Sequence, residues 1–364
     1  MDFKKLKTVF VAAFLLMVVA FLAGCSENNT DDDTRKFDRD IAYARTIPLD
    51  LSAFEREGSR LFLQDIKWHK GKIYAALHYL DISFQPTASS LILEIDETGN
   101  ILRNFESNFM NVEQIQIRNN NLFVLDMGVV MDENWSNPID GGITRIDLAS
   151  GQITTVLDAK DVGADPQQIE FISDSEAYLL LYRGWGDAFV VRFNVDNGNV
   201  GENIGINAVS AISYNAYTNA LWIAGDKIFK YSGGNVVFDT TSRLPTRSIT
   251  SAGGATLTTE SDFSSGYYGV IYDLGLSTTP IKYYEKGAIH NDAQGNFVDG
   301  NFFILENGND NLIFLTADGD AIRKLPLKTS NVFNHFSVSG NGNGDIFVGS
   351  KNDLTIAVFR VSEK

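Results

Sequence analysis

A four-part unit recurs along this chain and limits what it can fold into more than any other feature. The clearest copy runs from Asn111 to Ala159. There EQIQIR alternates apolar and polar residues, NNN makes a tight turn, and LFVLDM is a short buried run. A long polar loop then leads to GITRIDL, the turn ASGQ and ITTVL. Alternation with period two, and apolar runs bounded by Gly, Asn and Asp, predict strands and turns. No part of the segment has the spacing of an amphipathic helix. A lone meander of this size buries too little surface to fold by itself, so it needs copies beside it.

The chain supplies them. The first two strands recur as LQDIKWHKGKIYAAL from Leu63, VEQIQIRNNNLFVL from Val112, PQQIEFISDSEAYLLL from Pro166 and VSAISYNAYTNALWIA from Val209. TRSITSAGGATLTT from Thr246, DAQGNFVDGNFFIL from Asp292 and FNHFSVSGNGNGDIFVG from Phe333 follow. The turn between third and fourth strands recurs at Leu93, Thr144, Arg192 and Phe314. A spacing of about 40 to 50 residues with four strands per copy is the period of propeller blades. The seventh copy ends early, at TIAVFRV. Ala42 to Leu51 (AYARTIPLDL) has strand character and no partner of its own. Pairing the two would close the ring and remove two open edges. The expected fold is therefore all-β, a seven-bladed β-propeller over residues 41–364 closed by an N-terminal outer strand. The irregular fifth copy, SDFSSGYYGVIYDLGL, leaves six or eight blades open.

Residues 1–24 read as a signal peptide. Lys4, Lys5 and Lys7 precede an uncharged apolar run from Thr8 to Leu22, which is short for a spanning helix of about 20 residues. Leu22-Ala23-Gly24-Cys25 resembles a bacterial lipobox, which implies cleavage before Cys25 and acylation of its thiol. Cys25 is the only cysteine, so an intramolecular disulfide and a Cys-based metal site are both excluded. Residues 25–40 are polar and charged, as expected of a disordered tether between lipid and domain. The acidic tether also looks like the export signals of surface lipoproteins in the Bacteroidetes. The expected location is the bacterial outer membrane, on its periplasmic leaflet or at the cell surface.

Removing residues 1–24 takes three lysines and one aspartate from totals of 30 basic and 46 acidic residues, leaving a formal charge of −18. Such a surface repels nucleic acid and anionic membrane, so neither is expected as a partner. The repeat pattern resembles the YVTN-type and quinoprotein-like β-propellers, among them many lipoproteins of Bacteroidetes. That resemblance covers residues 41–364 and implies a fold far better than an activity. Asp96-Glu97-Thr98-Gly99 resembles the turn of the quinoprotein docking motif. Leu102 and Arg103 follow where an aromatic residue is expected, so the turn is read as structural, with Gly supplying a positive φ.

Propellers place ligands in the funnel formed by first-strand starts and by the loops between second and third strands. One position before the first buried residue of each first strand stand Asp65, Gln114, Gln168, Ala211, Ser248, Gln294 and His335. One earlier stand Gln64, Glu113, Gln167, Ser210, Arg247, Ala293 and Asn334. These polar groups either line a wet channel and satisfy strand ends or contact a ligand. The loops are uneven: those after His78, Met127 and Tyr182 are long, whereas later ones are short. Tyr79, Phe84, Trp135, Tyr182 and Trp185 could make an aromatic wall beside the amides and carboxylates, suited to sugars, peptides or ring-shaped ligands. The candidate ligand-binding residues are thus Asp65, Glu113, Gln114, Gln168, Arg247, His335, Trp135 and Trp185. No nucleophile elbow, His-Glu-x-x-His or phosphate-cradling loop is present. The expectation is a membrane-tethered binding protein for a small ligand, a glycan, a peptide or an envelope protein, without a cofactor and not an enzyme. The alternatives are a metal-dependent hydrolase or lyase, using a funnel set such as Glu113, Asn334 and Asp65, and an outer-membrane assembly scaffold.

Overall fold

The computed structural model describes residues 39–82, 85–128, 138–184, 187–241, 246–253, 255–262, 266–273, 280–283, 292–307, 311–315, 321–327 and 336–363. Contacts divide the chain after Lys36, so the described residues all belong to the unit that starts at Phe37. They form seven antiparallel four-stranded sheets, and the fold is an all-β β-propeller. Sheets 1 to 6 are built from consecutive strands within residues 60–104, 112–158, 165–207, 209–241, 246–283 and 292–326. The innermost strands of successive sheets touch in a closed circuit, with that of sheet 7 against that of sheet 1.

Sheet 7 combines both ends of the chain. Its three inner strands are Phe336–Gly340, Asp345–Ser350 and Thr355–Glu363, and its outermost strand is Arg39–Pro48. Register runs antiparallel from Arg39 opposite Glu363 to Pro48 opposite Thr355, with a bulge between Tyr43 and Arg45. The strand starts three residues before the segment expected from sequence. The irregular fifth copy also resolves into strands: Gly266–Asp273 and Pro280–Tyr283 complete sheet 5.

The core lies between sheets, which explains why second strands read as unbroken apolar runs. Both faces of such a strand are buried, so neighbouring residues belong to different clusters. In sheet 1, Ala75 and Leu77 pack toward sheet 7 with Ile47, Phe347 and Val358. Tyr74 and Ala76 pack toward sheet 2 with Ile115 and Val124. Sheet 2 repeats the division: Leu122 and Val124 face sheet 1, whereas Phe123 and Leu125 face sheet 3.

The Asp96 turn is structural. Its Oδ1 accepts hydrogen bonds from Thr98 N at 2.8 Å, Thr98 Oγ1 at 2.6 Å and Asn100 N at 3.0 Å. Gly99 has φ +100°, and a Cβ there would lie 2.4 Å from the carbonyl oxygen of Pro48. The glycine therefore serves the turn and also lets it approach the end of the closing strand.

Candidate functional site

Each innermost strand has one edge bonded to its own sheet and one edge facing the central channel, where its N–H groups need acceptors. Side chains of the preceding sheet supply them. Asp65 Oδ2 accepts from Ile115 N at 3.0 Å, Gln114 Oε1 from Ile169 N at 2.9 Å, and Gln168 Oε1 from Ile212 N at 3.0 Å. Ser248 Oγ accepts from Gly295 N at 3.1 Å and Ser337 Oγ from Ile66 N at 3.0 Å, which carries the lacing across the sheet 7 to sheet 1 seam. A second tier lies two residues on. Glu170 Oε2 accepts from Tyr214 N at 3.2 Å, Ser213 Oγ from Ser251 N at 2.9 Å, and Ser339 Oγ from Trp68 N at 2.8 Å. Period two brings both tiers to the channel side. Asp65 is the most connected member, since its Oδ1 also accepts from Ile66 N at 2.8 Å, Lys67 Nζ at 3.0 Å and Ser337 Oγ at 2.5 Å.

The position before the first tier behaves differently. Register shifts fall between Leu63 and Asp65, Val112 and Gln114, Pro166 and Gln168, Val209 and Ala211, and Thr246 and Ser248. Gln64, Glu113, Gln167, Ser210 and Arg247 are thus the extra residues of five β-bulges. A bulge leaves its residue out of the ladder and re-aims the side chain. For Gln64 and Glu113 the new direction is useful, because both line the channel and also a cleft that opens from it.

That cleft holds about 1110 Å³. Its walls come from the first strand of sheet 1, the end of the second, the start of sheet 2, the 351–354 turn of sheet 7 and the segment after the closing strand. This segment carries one turn of 3-10 helix, Ser52–Phe54. Leu49 N donates to Leu354 O at 3.3 Å, Tyr79 Oη donates to Phe54 O at 2.6 Å, and the Arg56 guanidinium lies 4.4 Å above the Tyr79 ring. Leu49, Leu61, Phe62, Leu80 and Leu354 make the walls apolar. At the floor, Lys351 Nζ donates to Gln64 Oε1 at 2.8 Å. Glu113 stands beside it, its carboxyl pKa raised chiefly by burial and opposed by the Lys351 charge. His78 is buried, with Nε2 2.8 Å from the carbonyl oxygen of Val112, and burial first and Lys351 second lower its pKa to about 4. The imidazole is therefore neutral at pH 7, and Nε2–H donates to that carbonyl.

Two further acids sit in the same ring of sheets. Burial raises Glu170 in the channel to about 7, although the Tyr214 N–H, Gln168 and Lys67 oppose it. Burial also raises Asp165 to about 6, against the hydrogen bond from Gly141 N at 2.9 Å. Both acids bind protons more tightly in the folded chain than in the unfolded one. The stability they contribute is complete below the unfolded carboxylate range, and is lost as pH rises through 6 and then 7. His78 acts oppositely, but only between about 4 and its ordinary 6.5. Urea unfolding should therefore show stability falling as pH rises to about 7 and levelling off above it. Glu170→Gln should flatten that fall, and an unchanged slope would remove Glu170 as its source.

Among the sequence candidates, Asp65, Glu113, Gln114 and Gln168 meet around the channel. Three of these, Asp65, Gln114 and Gln168, hold the next sheet; Glu113 faces the cleft. The backbone of Arg247 lies at the fifth bulge, and its side chain is outside the described residues. His335, Trp135 and Trp185 are also outside them. Tyr79, expected in an exposed wall, is buried and holds the Phe54 carbonyl instead. Sequence reasoning missed Lys351 and the 49–56 segment. The signal for Lys351 was its place just after the second strand of the seventh copy, where funnel loops begin. Among the described residues no three His, Cys, Asp or Glu are placed to hold a metal ion.

No family model matches the chain, and no curated protein matches its sequence. Solved structures do. A catalytically inactive virginiamycin B lyase from Staphylococcus aureus, in a crystal structure with quinupristin, aligns over 88% of this chain and 99% of its own, with TM-score 0.61 and 14% identity. A streptogramin B lyase aligns over 89% of this chain and 98% of its own, at TM-score 0.58 and 15% identity. The β-propeller domain of Cps50 (Swd1) from Myceliophteria thermophila covers 89% and 100%, at TM-score 0.58 and 11% identity. At such identities the likeness shows the β-propeller fold alone.

Proposed function

We propose that this chain is a lipid-tethered, extracytoplasmic binding protein, with the cleft over sheets 7, 1 and 2 as its ligand site. In this reading each of the seven sheets is one blade of a ring closed by residues 39–48. The observation that carries the binding role is the cleft. Its roughly 1110 Å³ accommodates a ligand of peptide or oligosaccharide size. Apolar walls over a floor of acid, amine and amide groups are the usual make-up of such a site. The tether rests on the sequence around Cys25, which lies outside the described residues. A funnel lyase or hydrolase is the second reading, favoured by the desolvated Glu113 carboxyl, since perturbed acids in clefts mark candidate catalytic groups. Stoichiometric divalent metal in the purified protein would favour it.

The test has two arms on the full-length protein. A thermal-shift screen of glycans, peptides and small metabolites should return a ligand, and Gln85→Trp should weaken its binding at least tenfold without lowering the melting temperature. Gln85 is exposed on the cleft wall, so the indole fills space rather than disturbing the core. A ligand insensitive to that change binds elsewhere. Cys25→Ser should move the protein from the membrane to the soluble fraction, because acyl chains contribute about 0.8 kcal/mol per buried CH₂. A variant that still needs detergent would sink the tether.

A further inference from the structure

Glu113 differs from the other acids of the ring. Asp65 and Glu170 both accept hydrogen bonds from the backbone of the next sheet. Glu113 is lifted out of the ladder by its bulge and accepts no hydrogen bond among the described residues. Glu113 is half-buried where the channel meets the cleft, and burial raises its carboxyl pKa, with the Lys351 charge opposing and the Asp65 charge adding to the shift. A partly buried carboxyl without a donor is costly to maintain, and here it faces a cleft of about 1110 Å³. The group is held ready for a donor from outside the chain.

Resting on the cleft as the binding site, we propose that its ligand is an apolar molecule bearing an amine, whose ammonium group is received by Glu113 where the cleft meets the channel. The floor selects this chemistry. Asp65 and Glu113 together repel an anionic group, and Lys351 is already engaged with Gln64 Oε1. The rim selects nothing by sign, since Asp50, Glu55, Arg56 and Arg60 all line it. The apolar walls take the body of the ligand. A peptide amino terminus, a lysine side chain and a small aliphatic amine share this chemistry.

The experiment uses the full-length protein and defined probes: n-octylamine, n-octanol, n-octanoate, and the tripeptide Leu-Leu-Leu with its amine free or acetylated. Calorimetric titration should show octylamine or the free tripeptide binding at least tenfold more tightly than the neutral and anionic probes. Glu113→Gln should erase that preference without lowering the melting temperature, since the side chain holds no hydrogen bond to lose, and Gln85→Trp should abolish binding. Preference for octylamine alone identifies a small amine, and preference for the free tripeptide identifies a peptide terminus or side chain. Equal binding of octanol and octylamine overturns the proposal while leaving the cleft a ligand site if Gln85→Trp still abolishes it. An amine preference that survives Glu113→Gln also overturns it, as does failure of all five probes to bind. If the broader screen finds no ligand sensitive to Gln85→Trp, the cleft reading falls as well.

Discussion

A chain lacking residues 39–48 is expected to lose most of its stability and to associate through sheet 7. The deleted strand pairs along its length with 355–363. It buries Ile41 and Ile47, which are 0% and 2% exposed. The two isoleucines serve different cores: Ile41 packs with Phe303, Phe314 and Phe359, and Ile47 with Ile66, Phe347 and Ile356. Removing either side chain to Ala should cost about 2–5 kcal/mol, and because they share no partner the two costs should add. Deletion adds the lost ladder and a new edge beside buried aromatics. The sum approaches the whole stability of a typical domain, about 5–15 kcal/mol. Urea unfolding of the single and double Ala variants, and gel filtration of the deletion, check this. A monomeric deletion that melts with the parent would mean the strand contributes little to closure.

Asp65→Ala should have the next largest effect. The carboxylate joins three sheets, through Ser337 Oγ of sheet 7, Ile66 N and Lys67 Nζ of sheet 1, and Ile115 N of sheet 2. Its removal leaves Lys67 without its carboxylate and Ile115 N without its acceptor, while Ile66 N keeps Ser337 Oγ. Breaking a buried charged network from one side costs about 3–5 kcal/mol. Asp65→Asn keeps one acceptor oxygen and should recover part of that. If Asp65→Ala falls within about 1 kcal/mol of the parent in urea unfolding, channel water replaces the lost partners and the lacing is weak.

Much of the fold was legible because a buried sheet sandwiched between two others writes itself as an apolar run between turn residues. LFVLDM and EAYLLL are the inner strands they look like, and TIAVFRV does pair with the N-terminal segment. The position of the polar ring was equally legible, since Asp65, Gln114 and Gln168 keep the same offset from the first buried residue. Their role was not. An amide that contacts ligand and one that caps the next strand occupy the same place in the pattern, and only the distances to Ile115, Ile169 and Ile212 distinguish them. The bulges escaped notice because an extra residue changes register, which local alternation does not record. The cleft escaped because Lys351 and residues 49–56 meet through closure, and no local pattern links the two chain ends.

The same closure sets a schedule for folding. Pro48 and Thr355 face each other across about 300 residues of chain. The entropic cost of bringing them together grows only with the logarithm of that length, so the ring loses little equilibrium stability to its topology. Time is the larger matter. At a synthesis rate of roughly 5–20 residues per second, the first strand waits on the order of 15–60 s for its partner to be made. Throughout that interval Ile41 and Ile47 lack the 355–363 strand that holds them against their cores, and every unfinished chain carries two open edges. A chain stopped before Thr355 never leaves that state, however well its earlier sheets have formed. Completion of the ring is therefore a single late event, the docking of the oldest strand onto the youngest.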